Sequence, residues 1–268
     1  DDATGSASNA RQFGPESMPH RAYCVCNDGA VTVFARILLV PLLHLFFRPT
    51  IVGRKNLPKR GGILIASNHL TFIDSCIITL VAIRPVRFMV KDDYFDRPGL
   101  KGWIIKTFFK SIGAVPIRRG AGHAAQDALD QGLEVLREGD AFSIYPEGTR
   151  SRDGRLYKGR TGVAWLALEA GVPIVPVAVT GTDIIQPGGG SKFVVKRRVM
   201  RVEFGAPMDV SGFGPAKSGK ARREVTDAVM REIGAMSGQE LAGILNDAPM
   251  DESESAAPQV APIKRENA

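Results

Sequence analysis

The chain of 268 residues carries 35 Lys and Arg against 28 Asp and Glu, a formal net charge of +7, with 44% hydrophobic and 24% charged residues. That length and composition suit one or two globular domains and exclude a disordered chain, a collagen-like repeat and a coiled-coil rod. A mean hydropathy of −0.03 excludes a polytopic membrane protein but leaves room for one membrane-seated segment, and the basic balance asks for an anionic partner: nucleic acid, lipid headgroups or a phosphorylated substrate.

Residues 1–28, polar and rich in Gly, Ser and Asn, read as a disordered leader. They show no charged n-region, apolar h-region and small-residue cleavage site, so export is not expected. Cys24, Cys26 and Cys76 are an odd set without a disulfide framework, which favours a reducing compartment. Cys24 and Cys26 find only His20 nearby, too few ligands for a metal site. Next comes Ala30–Phe47, apolar except for Thr32, Arg36, Pro41 and His44. A spanning helix needs about 20 apolar residues, and central charge is costly. The run is therefore a core helix or, by preference, a helix resting in one leaflet, with Arg48, Arg54, Lys55, Lys59 and Arg60 at the headgroups.

Beyond it, β-like runs at Thr50–Val52, Gly62–Ser67, Val86–Val90, Ala114–Ile117, Ala141–Tyr145, Ile174–Thr180 and Val199–Phe204 alternate with helical patterns near 72–83, 98–111, 121–137 and 161–170. A further helix is expected at 216–236. The fold class is α/β: a single domain over 49–240 with a mixed, largely parallel sheet of about seven strands flanked by helices. A membrane-associating helical segment at 29–48 precedes it, and residues 241–268, acidic from Asp247, read as a disordered tail. Positive charge is concentrated early, with fifteen Lys and Arg against four Asp and Glu between Ala30 and Arg119.

Four blocks could carry chemistry. His69 follows an apolar strand in SNHLTFIDS, where α/β proteins gather ligands, and Asp74 lies five residues on. On one continuous helix that spacing leaves the side chains about 140° apart. With His69 in the turn before the helix, Asp74 can reach back to the imidazole, fix its tautomer and leave the other nitrogen free to take a proton. The alternative is a loop histidine beside a helix capped by Asn68 or Thr71. Gly113–Gly120 is a strand delivering Arg118 and Arg119 at its end, a fork for phosphate or a solvated pair. Tyr145–Ser151 (YPEGTRS) follows another apolar strand: Gly148 admits close backbone approach, Thr149 and Arg150 suit phosphate oxygens, and Glu147 suits a substrate hydroxyl or Arg150. Val172–Val177 contains Pro173 and Pro176, which fit an edge strand or the wall of an apolar groove. No serine elbow, Walker loop or GxGxxG is present. The basic run Lys192, Lys196, Arg197, Arg198 and Arg201 has only Phe193 interleaved, so nucleic acid is not an expected partner.

In order, these blocks resemble the glycerolipid acyltransferase family, specifically its bacterial 1-acyl-sn-glycerol-3-phosphate branch, over roughly Ile51–Phe204. Asn68–Asp74 is similar to the family's NHx₄D, and Tyr145–Ser151 to its FPEGTRS with Tyr in place of Phe. The second block ends Pro-Ile-Arg-Arg, where Phe-Ile-Asp/Asn-Arg is frequent. The resemblance implies acyl transfer from acyl-CoA or acyl-carrier protein to the sn-2 hydroxyl of lysophosphatidic acid, giving phosphatidic acid. His69 would be the general base and Asp74 its orienter; Arg118 or Arg119, with Glu147, Gly148, Thr149 and Arg150, would hold the substrate. No cofactor or metal is implied. The expected setting is an anionic membrane surface on the cytoplasmic face of the cell membrane, occupied in a monotopic or peripheral manner. Two rivals stand beside this reading: the same fold acylating glycerol 3-phosphate, a lysophospholipid or another lipid alcohol, and a non-catalytic module that binds anionic membranes.

Overall fold

The structure, a computed structural model, describes residues 29–91, 95–96, 98–117, 124–189 and 192–246. The expected leader, with His20, Cys24 and Cys26, lies outside the described residues, as do Arg118, Arg119, His123 and the acidic stretch from Asp247. In chain order the elements are α1 (Gly29–Phe46), β1 (Thr50–Val52), β2 (Ile63–Ser67), α2 (Ile73–Val81), β3 (Val86–Lys91), α3 (Gly99–Ser111), β4 (Ala114–Ile117), α4 (Ala124–Arg137) and β5 (Ala141–Ile144). There follow β6 (Leu156–Lys158), α5 (Gly162–Ala170), β7 (Ile174–Thr180), α6 (Thr182–Ile185), β8 (Arg201–Phe204), α7 (Gly219–Ser237) and β9 (Leu241–Leu245).

Seven strands form one sheet in the order β1-β8-β7-β2-β5-β3-β4, parallel except between β7 and β8. β2 (ILIAS) is buried along its whole length, as a central strand covered on both faces must be. Alternate residues feed two cores. Ile63 and Ile65 join α2 and α3 through Ile77, Ile78 and Phe109, with Leu43 of α1. Leu64 and Ala66 face Leu136 of α4, Leu166 of α5 and Val229 of α7.

Two sequence expectations are corrected here. Pro173 and Pro176 pointed to an edge strand or groove wall, but β7 lies inside the sheet and Ile174–Val179 is buried. Pro173 precedes the strand. At Pro176 the carbonyl accepts from Gly205 N at 2.8 Å. The amide and carbonyl of a strand residue leave on the same side, so the missing N–H faces the end of the β8 ladder, which stops at Phe204. Pairing with β2 therefore loses nothing. Second, residues 241–245 do not begin a disordered tail: β9 pairs in parallel with β6, Leu156 opposite Leu241 and Lys158 opposite Leu245.

α1 packs one face on the domain and leaves the other exposed. Leu43 is buried, and Leu39, Val40 and Phe47 pack against the core, while Phe34, Ile37, Leu38, Leu42, Leu45 and Phe46 are exposed. Arg36, an oddity in an apolar helix, has a structural partner: its Nη2 donates to the carbonyls of Ala82 and Leu80 at the end of α2, where Arg54 Nη2 also reaches Ala82. Cations at a helix C-terminus satisfy its orphan carbonyls and oppose its dipole. Thus α1 is fastened to the domain and its outer apolar face has a fixed orientation.

Candidate active site

The chain leaves β2 at Ser67 and meets Asn68, whose side-chain amide is buried and behaves as an extra rung of the β2–β7 ladder. Its Oδ1 accepts from Val179 N and its Nδ2 donates to Val179 O, both at 2.8 Å, with Gln239 Oε1 as a second acceptor at 2.8 Å. This fixes the turn that presents His69. The His69 backbone is held from the other side: its N–H donates to Glu147 Oε1 (3.1 Å) and its carbonyl accepts from Ser151 N (2.7 Å).

Asp74 sits in the first turn of α2, fully buried, and bends back over the preceding turn. Its Oδ2 accepts from Leu70 N (2.7 Å) and Thr71 N (2.8 Å) and lies 3.0 Å from His69 Nδ1, while Oδ1 accepts from Thr71 Oγ1 (3.1 Å). A carboxylate only accepts, so the ring proton belongs on Nδ1 and the lone pair on Nε2. The His69 side chain keeps 17% of its surface exposed. The structure therefore brings His69 and Asp74 together as the turn placement requires.

Tyr145, just past β5, stacks on the imidazole with ring centroids 3.8 Å apart and planes 9° from parallel. Its hydroxyl lies 2.5 Å from Ser75 Oγ on α2. Burial, reinforced by the nearby Asp74 charge, pushes the phenol well above its ordinary value, so it stays protonated and available for that bond.

Glu147, expected on a substrate hydroxyl or on Arg150, points inward instead. It is fully buried, with Oε1 on His69 N and Oε2 accepting from Tyr157 N at 2.9 Å. Burial raises its carboxyl to about 7, against the opposing pull of those two amides. It positions His69 through the backbone. Gly148 has φ 81°, a left-handed conformation that favours glycine, whereas a Cβ there would ask only the Arg160 side chain to move aside. Thr149 and Arg150 are half-buried on the same loop, which Ser151 fastens to His69. Arg118 and Arg119 cannot be placed against them, lying outside the described residues.

Sequence reasoning did not find the apolar groove lined by Phe72, Ile104, Ile105, Phe108 and Phe109, about 340 Å³ in volume. Phe72 stands between the two dyad residues in sequence, and the other four lining residues belong to α3. Its signal was present in GWIIKTFFK, where aromatic and β-branched residues outnumber what a single core-facing stripe needs. Among the described residues no group of three His, Cys, Asp or Glu could hold a metal ion, and no helix is long and apolar enough to cross a membrane.

Fold and dyad together define the class: the chain belongs to the acyltransferase family, whose model matches residues 48–180. It is 32% identical over 168 residues to the chloroplastic 1-acyl-sn-glycerol-3-phosphate acyltransferase BAT2 of Brassica napus, covering 62% of this chain and 46% of that protein. The chain thus spans less than half the length of that relative, and of its 32% identical Arabidopsis thaliana counterpart LPAT1, of which 45% is covered. To the 1-acyl-sn-glycerol-3-phosphate acyltransferase of Bacillus subtilis it is 29% identical, over 68% of this chain and 85% of that one. The fold matches the crystal structure of the 1-acyl-sn-glycerophosphate (LPA) acyltransferase PlsC of Thermotoga maritima with a TM-score of 0.55, over 78% of this chain and 88% of that chain. At 23% identity that likeness is one of fold.

Proposed function

We propose that the protein transfers a fatty acyl group from a thioester donor, acyl-CoA or acyl-carrier protein, to the sn-2 hydroxyl of 1-acyl-sn-glycerol 3-phosphate. The observation that carries this reading is the His69–Asp74 pair, Nδ1 to Oδ2 at 3.0 Å, which leaves the lone pair on Nε2 of a ring that is still partly exposed. An alcohol is a weak nucleophile at neutral pH, and a positioned base removes its proton as attack proceeds. Nε2 takes that proton while the hydroxyl oxygen bonds to the thioester carbonyl carbon. Asp74 stabilises the imidazolium so formed. Collapse of the tetrahedral intermediate breaks the C–S bond, and the departing thiolate recovers the proton from Nε2. Products are the ester and a free thiol, with His69 restored and no acyl-enzyme on the path. The groove at Phe72 and Phe108 takes acyl chain. Arg150, with Arg118 or Arg119, holds the glycerol phosphate.

The acceptor and product of such a reaction are bilayer lipids. The outer face of α1 and the exposed Leu100, Trp103 and Ile104 at the start of α3 suit a monotopic or peripheral seat on the cytoplasmic leaflet. Purified full-length chain assayed with acyl-CoA against a panel of acceptors tests the reading. The expected result is turnover of 1-acyl-sn-glycerol 3-phosphate well above glycerol 3-phosphate, lysophosphatidylcholine and monoacylglycerol. Equal use of acceptors lacking phosphate would overturn the phosphate assignment.

A further inference from the structure

Residues 192–198 (KFVVKRR) carry no part of the dyad or the groove, yet every one of them is exposed. Phe193 (56%), Val194 (46%) and Val195 (63%) present three consecutive apolar side chains to the outside, an arrangement a soluble surface avoids unless the patch is used. Lys192, Lys196, Arg197 and Arg198 flank them, and none has an acidic partner among the described residues. The loop is nevertheless held at defined points. Val194 N donates to Ile185 O and Arg198 N to Phe47 O, each at 2.7 Å. Arg198 adopts φ 62°, a left-handed conformation that a non-glycine residue keeps only when its surroundings impose it.

The bond to Phe47 sets the loop beside the end of α1, where Leu45 and Phe46 are exposed. Topology then fixes which way this surface faces. Arg201 pairs both with Thr180, the last residue of β7, and with Thr50, the first of β1. The loop and the end of α1 therefore lie at the edge where β2 and β7 finish, which is the edge carrying His69.

We infer that residues 192–198 form a second membrane-contact element, with Phe193–Val195 seated at the headgroup–acyl boundary and the four bases on anionic lipid phosphates. This rests on the membrane reading above and adds to it a site that orients the catalytic edge toward the bilayer. An anionic bilayer fits better than an acidic protein because the basic residues bracket three adjoining apolar ones and the patch continues onto the outer face of α1. Near an anionic surface each Lys or Arg contributes about fivefold to binding.

The test is sedimentation of the full chain with phosphatidylglycerol–phosphatidylcholine vesicles and with phosphatidylcholine vesicles. K196Q/R197Q is expected to lower partitioning onto anionic vesicles by on the order of tenfold or more and leave that onto neutral vesicles unchanged. F193S/V195S is expected to lower both, with unaltered thermal unfolding and unaltered turnover of detergent-dispersed substrate for each variant. I37N/L38N on the outer face of α1 serves as the separate probe of the membrane reading. Loss of binding in I37N/L38N with wild-type binding in both loop variants overturns the loop and leaves that reading intact. A wild-type chain that stays in the supernatant overturns both. Loop variants that sediment normally but need more acyl-carrier-protein donor would make the loop a docking site for that acidic protein, against the inference.

Discussion

The turn around His69 and the outer face of α1 are built on opposite plans. At the turn, backbone and side-chain donors from four segments converge: Leu70 and Thr71 on Asp74, His69 and Tyr157 on Glu147, Val179 on Asn68, Ser151 on the His69 carbonyl. Nearly every polar atom there is committed, and the imidazole has one way to lie. On α1, by contrast, Phe34, Ile37, Leu38 and Leu45 are exposed, and among the described residues the helix is fastened along its inner face and through Arg36. Chemistry needs a ring held to a fraction of an ångström. A lipid surface needs area, and tolerates variation in how that area is composed. The two regions should therefore fail differently when altered.

The sharpest separation comes from two alanine substitutions at the dyad. His69→Ala should lower kcat by about 10³-fold, within the range a general base supplies, and leave the unfolding midpoint nearly unchanged, since no backbone bond depends on the ring. Asp74→Ala should lose comparable activity and also destabilise by at least about 2 kcal/mol, because the amides of Leu70 and Thr71 lose a buried acceptor. Asp74→Asn keeps an oxygen for those amides but no charge for the imidazolium, so activity falls on the order of 10²-fold with the fold retained. Parallel kinetics and urea titrations would show it. Equal stability of Asp74→Ala and wild type would mean that the convergence of bonds on Asp74 contributes little.

On α1 the expectation reverses. I37N/L38N should leave kcat on detergent-dispersed substrate unchanged and lower the rate on vesicle-borne substrate on the order of 10²-fold, since each of the two side chains withdrawn from an apolar medium forfeits roughly 1.5 kcal/mol or more. A matching fall in both assays would show that α1 acts on the dyad rather than on lipid.

Glu147 probes the turn through pH. Its carboxyl stands near 7 in the folded protein against 4.5 unfolded, so the folded state binds the extra proton between those values. The resulting stability is fully present below about pH 4.5 and is lost as pH rises through 7, at most roughly 3 kcal/mol. Glu147→Gln should abolish this slope in urea midpoints measured from pH 4.5 to 8. Because an amide can accept for only one of the two N–H groups, kcat should also fall several-fold.

How much of this was readable beforehand follows from the range of the contacts. The sheet strands were visible because apolar runs bounded by Gly and Pro sit where the chain is buried on both faces. The His69–Asp74 pair was visible because its geometry is local, closing within five residues. Glu147 was misread as substrate-facing because its neighbours Pro146, Gly148 and Thr149 look like an exposed turn, while its partners are the backbone amides of Tyr157, ten residues on, and of His69, 78 residues back. β9 was missed for the same reason: Leu241 finds Leu156 across a stretch of chain that holds α5, β7, α6, β8 and α7, and LAGIL alone carries too little pattern. At Pro176 the prolines argued correctly about a missing donor, but only the β8 register shows where that gap falls.

Tyr145 offers the finest cut, within the turn itself. The stack on His69 needs only the ring, whereas the bond to Ser75 needs the hydroxyl. Tyr145→Phe keeps the first and removes the second, leaving Ser75 Oγ to find another partner. If the hydroxyl only fills space, nothing measurable changes. If it clamps the ring against the imidazole, the loss is that of one hydrogen bond, about 1 kcal/mol. That clamp should then appear as a kcat reduced a few-fold, with KM for the acceptor unmoved. Ser75→Ala should reproduce the effect, and the double variant should be no worse than either single one. Additive losses would show that Tyr145 and Ser75 act separately, and that stacking alone aligns His69.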